Sequence, residues 1–213
     1  MKKLLLAFGL VLWSVASAIA QCVSVAGAGG PAPQFGITCA SESTVPSYAA
    51  TGVGIVPAAS ATDIACLTGS ATKVVRLQSI RVSGSGTAIS VPVHIMKRAT
   101  ADTAGTLGTG AVLPVPYRLD SANVAPSATT VSYTANPTIN DSAPGIIDNG
   151  NLGVVATSVG AAVQPFVDFS YINRNFMQAP TLRGVAQQIC VNLAATSPTA
   201  LLDVTFKWTE SAQ

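Results

Sequence analysis

Stretches in which apolar and polar residues alternate recur along the chain from residue 61 onward. The plainest is the last, where four apolar side chains alternate with polar ones between Leu201 and Trp208. A period of two places one set of side chains on one face of a β-strand, whereas an amphipathic helix needs a period near 3.6. We therefore expect Leu201–Trp208 to form a strand and the indole of Trp208 to be buried.

The segment KVVRLQSIRVS shows the same alternation with one change of phase. Val75 and Leu77 occupy odd-numbered positions, whereas the apolar residues that follow, Ile80 and Val82, occupy even-numbered ones. An extra residue in a strand, a β-bulge, shifts the phase by one. A bulge near Gln78–Ser79 would therefore return all four side chains to one buried face.

Turn residues separate nine segments that we predict as strands. They are Thr62–Leu67, Lys73–Ser83, Ala88–Lys97, Val112–Arg118, Ala128–Thr134, Leu152–Thr157, Val163–Ile172, Val185–Leu193 and Leu201–Trp208. Long polar loops are expected at 98–111 and 136–151, and Pro92 favours an edge position or a bulge for its strand. No segment after residue 21 has a helical stripe with caps. The pattern predicts an all-β fold, an antiparallel β-sandwich that is jelly-roll-like.

The N-terminal part differs from this pattern. Residues 1–20 combine Lys2 and Lys3, an apolar core and the small-x-small end Ala-Ile-Ala, which is typical of a signal peptide cleaved before Gln21. Residues 21–60 are rich in Gly, Ala, Pro and Ser, and they predict an irregular N-terminal arm. The sandwich domain is then expected to span 61–213.

Composition narrows the functional classes. The chain is 49% hydrophobic and only 9% charged, which excludes intrinsic disorder and a coiled coil. Its net charge of +2 is too small for a protein that binds nucleic acid by neutralising phosphates. Cleavage before Gln21 would lower the number of basic side chains from 11 to 9, equal to the 9 acidic ones. A chain of zero net charge has little electrostatic repulsion between copies, which favours assembly.

Four cysteines, Cys22, Cys39, Cys66 and Cys190, are the disulfide candidates. An even number in an exported chain predicts two disulfides, for which three pairings are possible. One pairing would close a local loop between Cys22 and Cys39 and tie an early strand to a late one through Cys66 and Cys190. A structural zinc site is not expected, because the chain has no C-x-x-C motif and a single histidine.

Catalytic signatures are missing from the sequence. His94 is the only histidine, it lies within a predicted strand, and no G-x-S-x-G element accompanies it. Glycoside hydrolysis needs a pair of carboxylates, and the sequence gives no support for such a pair. No Gly-rich loop is followed by the Lys-Ser/Thr of a phosphate-binding loop. We therefore predict a protein that is not an enzyme, with no catalytic residues and no cofactor.

Two sets of side chains keep a binding function open. Asn and Asp residues cluster at 140–151, but their spacing is not that of an EF-hand loop, so turn chemistry explains them better than calcium and no metal site is predicted. Aromatic residues on predicted strand faces could stack on sugars, although core packing is the usual role of such positions. These aromatic candidates are Tyr133, Phe166, Phe169 and Tyr171.

Four segments carry a resemblance to a known group of proteins. They are ATDIACLTGSATKVVRLQSIRVSG (61–84), VPVHIMKRATADTAGT (91–106), YTANP (133–137) and LRGVAQQICVNLAATSPTALLDVTFKWTE (182–210). The last is the most specific, with R-G, a V-N-L strand, a turn and an alternating strand ending in W-T-E. Together they resemble small all-β virion structural proteins of tailed bacteriophages, of the head-decoration or fibre type.

The resemblance implies a jelly-roll-like subunit that forms homo-oligomers, often trimers, on a virus particle. It implies capsid decoration, minor capsid or fibre-type roles without an active site, so no functional residue carries over. The expected partners are other copies of the chain and other virion or surface proteins, with carbohydrate as a further candidate and no nucleic acid. The expected location is the virion, or the periplasm or cell exterior if residues 1–20 act as a signal. The alternative is an exported surface or periplasmic binding module, an adhesin or carbohydrate binder.

Overall fold

The computed structural model describes most of the chain after residue 44. The described residues are 45–58, 62–87, 89–141, 145–156, 165–172, 178–194 and 200–213. The predicted signal segment 1–20, residues 21–44 of the predicted arm, and Cys22 and Cys39 lie outside them. Within the described part, no helix has both the length and the apolar composition needed to span a membrane.

The described residues form eleven strands and one short 3-10 helix, Gly110–Val112. In chain order the strands are β1 (Ser47–Ile55), β2 (Thr62–Thr68), β3 (Lys73–Gly86), β4 (Ile89–Arg98), β5 (Val115–Arg118), β6 (Thr129–Ser132), β7 (Gly145–Ala156), β8 (Phe166–Ser170), β9 (Thr181–Arg183), β10 (Gln188–Leu193) and β11 (Leu201–Ala212).

The strands form two antiparallel sheets that pack face to face. Sheet one has the order β5-β1-β11-β3, and both β8 and β9 pair with the far edge of β3. Sheet two has the order β7-β4-β10-β2-β6. A short parallel contact between the ends of β3 and β7 joins the two sheets. The predicted all-β antiparallel sandwich is confirmed.

The order of the longer strands is that of a jelly roll. Without β5, β6 and β9, the two sheets read 1-11-3-8 and 2-10-4-7, so the chain crosses from one sheet to the other at most connections. The long connection from β4 to β7 adds β5 beside β1 and β6 beside β2. It therefore passes from one sheet to the other and adds an edge strand to each.

The core lies between the sheets and is apolar. On β11, the four alternating side chains from Leu202 to Trp208 are fully buried, as the sequence predicts. The indole of Trp208 stacks on Tyr48 of β1, with ring centroids 5.8 Å apart. Tyr48 donates its phenolic hydrogen to the carbonyl oxygen of Val124 at 3.0 Å, which satisfies the one polar atom of this buried ring.

The predicted bulge in β3 is present. Lys207 of β11 pairs with Ser79 and the next residue, Trp208, pairs with Leu77, so Gln78 has no partner in this register. The extra residue keeps the apolar side chains on both sides of it buried, including Val75 and Ile80. The change of phase in the sequence is therefore explained by one inserted residue.

The start of the sandwich is a correction to the expected boundary at residue 61. Ser47–Ile55, within the predicted arm, is β1 and lies between β11 and β5. Its inward positions include Ala50 and Gly52, which are too small to produce an apolar alternation. A Cβ on Gly52 would come within 2.6 Å of the carbonyl oxygen of Val112, so the close approach of the 3-10 helix requires glycine there.

Two other sequence expectations need correction. The predicted loop at 136–151 becomes strand β7 from Gly145 onward, since pairing with β4 overrides its turn-forming residues. β4 is an inner strand despite Pro92. The carbonyl of Pro92 accepts from the N–H of Ala194, so its missing N–H faces the place where β10 ends. The proline therefore costs the sheet little.

Candidate functional site

A disulfide links the two inner strands β2 and β10 on the outer face of sheet two. Cys66 and Cys190 are directly paired across the strands, with an S–S distance of 2.08 Å, and neither is exposed. This is one bond of the pairing considered from the sequence. A buried disulfide is typical of proteins that fold in an oxidising compartment.

A buried ion pair lies beside the disulfide. The guanidinium of Arg98, at the end of β4, donates two hydrogen bonds of 2.9 Å to the carboxylate of Asp63 on β2. Asn192 of β10 donates a third hydrogen bond to Asp63 at 2.6 Å. Side chains from three adjacent strands therefore meet at one carboxylate, and neither charged partner is more than 2% exposed. Such a pair needs this full set of hydrogen bonds to offset the loss of hydration.

Asp102 brings a second carboxyl group to this place from the loop after β4. Its backbone N–H donates to Oε1 of Gln188 at 2.9 Å, and the Gln188 amide donates in turn to Thr68. Among the residues that the structure describes, none donates a hydrogen bond to the buried Oδ1 of Asp102. Oδ2 lies 3.9 Å from Sγ of Cys66, a van der Waals contact because the disulfide sulfur carries no proton. We call Asp63, Arg98, Asp102, Gln188 and Asn192 the aspartate–arginine cluster.

The protonation state of Asp102 follows from this environment. Burial, a hydrogen bond to Asp63 and the negative charge of Asp63 raise the pKa of Asp102 to about 7, and Arg98 only partly opposes them. When Asp102 is protonated, its carboxyl group can donate a hydrogen bond to Asp63. The charged groups of the cluster are then the carboxylate of Asp63 and the guanidinium of Arg98. The neutral form of Asp102 therefore gives the cluster no net charge, the state that burial favours.

The loop that carries Asp102 is held down by turn residues. Asn140 donates to the carbonyl of Ala101 at 2.9 Å, and Oδ2 of Asp141 accepts from the N–H of Ala99 at 2.6 Å. Tyr133, just after β6, packs against the disulfide and is 3% exposed. Within the described part of the chain, the aspartate–arginine cluster is therefore largely shielded from solvent, with Asp63 fully buried and Asp102 9% exposed.

The two sulfurs and the carboxyl oxygens of Asp63 and Asp102 lie within 4.8 Å of one another, the spacing of a metal site. In the oxidised protein the sulfurs are bonded to each other, and Asp63 is occupied by Arg98. Zinc and similar ions prefer thiolates and unpaired carboxylates, and the guanidinium would repel them. The arrangement is therefore chemically suited to a structural network rather than to a cation.

A third buried acidic side chain, Glu210, belongs to the opposite sheet. Glu210 of β11 accepts from the indole N–H of Trp208 at 3.0 Å, from the N–H and hydroxyl of Ser127, and from the N–H of Ala128. Burial alone would raise the pKa of Glu210, but these hydrogen bonds outweigh it and lower the pKa below the usual value. Glu210 therefore fixes the chain before β6 to sheet one.

An uncharged surface is exposed at the β5 side of sheet one. Tyr117 of β5 is 70% exposed, and Val115 and Val53 beside it are about half exposed. They line a shallow groove of about 320 Å³, together with Ala49, Thr51, Gly110, Ala111 and Leu113. None of these eight side chains is charged, and we call this surface the apolar patch. Exposed apolar patches of this kind commonly mark protein–protein contacts.

A larger and more polar cleft of about 600 Å³ lies at the end of the sandwich where β4 ends and β7 begins. Its other wall is formed by the chain between β8 and β10. The lining residues are Lys97, Ile147, Asp148, Tyr171, Gln178, Ala179, Pro180, Thr181, Arg183 and Gln187. The cleft thus combines two cations, one carboxylate, two amides and an aromatic ring.

The structure separates the four aromatic candidates. Tyr133 and Phe169 are buried, and Phe166 lies under the guanidinium of Arg81, with 3.8 Å from the guanidinium carbon to the ring centroid. Tyr171 is half-buried and lines the cleft. His94 lies half-buried in β4, in register with Asn192 and Asn149. Of these residues, Tyr171 alone lies at a site large enough for a ligand.

The residues that form the aspartate–arginine cluster were not identified from the sequence. Asp63 and Arg98 are 35 residues apart, and Asn192 is 129 residues from Asp63. No local pattern connects them, because the order of strands in sheet two brings them together. Asp102 lies in the predicted loop at 98–111, where nothing in the sequence indicates a buried carboxyl group, and Gln188 and the cations of the cleft belong to no recognisable motif.

Comparison with known proteins gave no match: no family model fits the chain, and no curated protein or solved structure is significantly similar to it. The resemblance to phage virion proteins therefore stays a prediction.

Proposed function

We propose that this protein is a non-enzymatic structural subunit of a phage or phage-like particle, which assembles with other copies of itself through the apolar patch. The observation that carries the proposal is the patch itself, with eight uncharged lining residues and Tyr117 largely exposed. Viral capsid domains are one of the groups that use the jelly roll, and this fold-level analogy adds support without deciding the matter.

The occupant of the patch is a second copy of this chain. After cleavage before Gln21 the chain would carry no net charge, so copies would not repel one another. The contact uses the face of β5 rather than its edge. Leu119 donates its N–H to Ser47 of β1, so the alternate positions Pro116 and Arg118 point their backbone outward. Pro116 has no N–H, which disfavours addition of a further strand.

Native mass spectrometry and analytical ultracentrifugation of the full chain test the proposal. We expect a homo-oligomer for the wild type and a monomer for Tyr117→Asp, since a buried unpaired charge opposes association. Leu107→Asp, at a similarly exposed apolar residue on the loop over sheet two, is the matched control and should remain oligomeric. A monomeric wild type at high concentration, or an unchanged mass for Tyr117→Asp, would show that the patch is not the contact.

The particle assignment needs its own experiment. Purified particles should contain the protein in many copies, detected by quantitative mass spectrometry. If the protein oligomerises but is missing from every particle fraction, the proposed virion role is rejected and the proposed self-association is kept.

A second candidate is an exported binding module. The buried Cys66–Cys190 disulfide favours it, because such bonds persist in oxidising compartments. The intact mass of the protein isolated from its cell would show loss of residues 1–20 and of the thiol hydrogens. An uncleaved, fully reduced chain would count against export.

A further inference from the structure

The cleft at the end of the sandwich has the size of a small-molecule site. Its volume of about 600 Å³ falls within the roughly 300–1,000 Å³ of ligand pockets. It opens to solvent between Lys97 and Asp148 on the sheet-two side and Pro180 and Arg183 on the other. The aspartate–arginine cluster and the apolar patch share no residue with it.

The wall formed by residues 178–187 is held in place by backbone hydrogen bonds. The N–H of Leu77 donates to the carbonyl of Pro180 at 2.9 Å, and β9 continues this pairing along β3. Further along, Gly69 donates to the carbonyl of Gln187 at 2.9 Å, and Gly184 donates to that of Ser70 at 3.0 Å. The site is thus largely formed before a ligand arrives, which reduces the entropy lost on binding.

The cleft carries unpaired positive charge. Among the described residues the only ion pair joins Arg98 and Asp63, so neither Lys97 nor Arg183 has a carboxylate within 4.0 Å. Among the described residues of the lining, the two cations Lys97 and Arg183 outnumber the one carboxylate, Asp148. An anionic group on a ligand would be attracted by both cations, and Arg183 can bind it through two parallel hydrogen bonds.

The remaining lining suits a ligand rich in hydroxyl groups. Oε1 of Gln187 accepts from the N–H of Arg183 at 2.7 Å, which fixes the amide and leaves its NH₂ group as a donor. Gln178 adds a second amide, and Tyr171 and Pro180 supply apolar surface. Amide groups beside an aromatic ring and a proline match the alternating polar and apolar faces of a sugar ring.

We propose that this cleft binds an acidic saccharide, whose carboxylate or sulfate group contacts Lys97 and Arg183 while its hydroxyl groups contact the Gln178 and Gln187 amides. The proposal deepens the second candidate function by naming a ligand class. It is independent of assembly through the apolar patch. The net charge of +2 is too small to favour nucleic acid as the ligand.

Isothermal titration calorimetry of the full chain provides the test, with digalacturonate, the neutral disaccharide galactobiose and inorganic sulfate as probes. Digalacturonate should bind at least tenfold more tightly than either of the other two. Equal affinity for galactobiose would overturn the role of the cations. Equal affinity for sulfate would show an anion site that does not recognise sugar, and no binding of digalacturonate would overturn the proposal as a whole.

Charge-removing variants locate the site. Arg183→Gln and Lys97→Gln should each lower the affinity for digalacturonate about tenfold, whereas Lys207→Gln, an exposed cation on β11, should leave it unchanged. Unchanged affinity in both cleft variants would overturn the assignment. Because Arg183 is exposed, Arg183→Gln should keep the wild-type melting temperature. The affinity of Lys97→Gln for digalacturonate tests the same site independently of Arg183.

The same titration with Tyr117→Asp separates this proposal from assembly. Binding that survives in a monomeric Tyr117→Asp protein supports the cleft alone. If the wild-type protein forms oligomers but does not bind digalacturonate, the cleft proposal is rejected and the assembly proposal is unaffected.

Discussion

The outer faces of the two sheets differ in the side chains that they carry and in how far the chain itself covers them. Sheet two places a disulfide, an ion pair and a carboxyl group whose pKa is raised to about 7 on its outer face and covers them with its own loop. Sheet one leaves Val53, Val115 and Tyr117 exposed beside the 3-10 helix. The aspartate–arginine cluster of the first face is enclosed within one chain, whereas the apolar patch of the second face is a surface that another molecule can cover. In the proposed assembly, sheet two contributes stability and sheet one forms the contact between copies.

Removing the central carboxylate of the buried face should have the largest effect. Asp63→Ala leaves Arg98 charged, buried and without its partner, so we expect the free energy of unfolding to fall by about 3–5 kcal/mol. Asp168→Ala, on the exposed outer face of β8, should change it by less than about 0.5 kcal/mol. Denaturant unfolding measures both.

A double variant sharpens this result. Asp63→Ala with Arg98→Met removes both charges and should recover much of the lost stability. Equal losses for the single and double variants would mean that the cost is not that of an unpaired charge.

The disulfide should contribute the next largest share. Replacing Cys66 and Cys190 by Ala removes a link across 124 residues of sequence and should lower the free energy of unfolding by about 2–5 kcal/mol. Reductant should destabilise the wild type in the same range and leave the double variant unchanged. A wild type that is insensitive to reductant after unfolding and refolding would contradict this contribution.

The pH dependence of stability tests the protonated carboxyl group. The pKa of Asp102 is about 7 when folded and near 4 when unfolded, so the folded state binds more protons between these values. Stability should therefore fall as pH rises, by roughly 1–3 kcal/mol between pH 5 and pH 8. Asp102→Asn keeps a donor for Asp63 and should abolish this slope. Glu210 does not interfere, because its lowered pKa acts below about pH 4.5.

Urea unfolding of wild type and Asp102→Asn at each pH gives the comparison, since the difference between the two proteins removes every other titrating group. Parallel curves would show that Asp102 is ionised in the folded protein at neutral pH.

The smallest effect on stability is expected at the apolar patch. Tyr117→Asp should change the free energy of unfolding by less than about 0.5 kcal/mol at a concentration where the wild type is monomeric, because Tyr117 is 70% exposed. Thermal melting at two protein concentrations measures this. A loss above about 1 kcal/mol at low concentration would mean that Tyr117 packs within its own chain.

The sequence predicts those parts of the fold in which local pattern and environment agree. β11 was visible because large apolar residues occupy every inward position, and the bulge at Gln78 was visible as a change of phase. β1 was missed because its inward residues include Ala50 and Gly52, selected for close packing rather than for hydrophobicity. The second half of β7 was predicted as a strand from Leu152 onward, but its first half was assigned to a loop, because turn-forming residues such as Asn149 and Gly150 are held in a strand by β4.

The candidate sites were less accessible to sequence reasoning than the fold. One disulfide was anticipated, but the ion pair beside it depends on the order β4-β10-β2, which no local pattern encodes. Tyr171 was one of four aromatic candidates, and only the tertiary structure separates it from two buried rings and one ring stacked under Arg81.

The central proposal is that the aspartate–arginine cluster of sheet two is enclosed within one chain, while the apolar patch of sheet one contacts a second copy. Hydrogen exchange of the full protein at low and high concentration measures both faces in one experiment. We predict that peptides covering Val115–Arg118 and Gly110–Leu113 exchange more slowly at high concentration, while peptides of β2 and β10 are equally protected at both. Exchange of β5 that is independent of concentration would contradict the account.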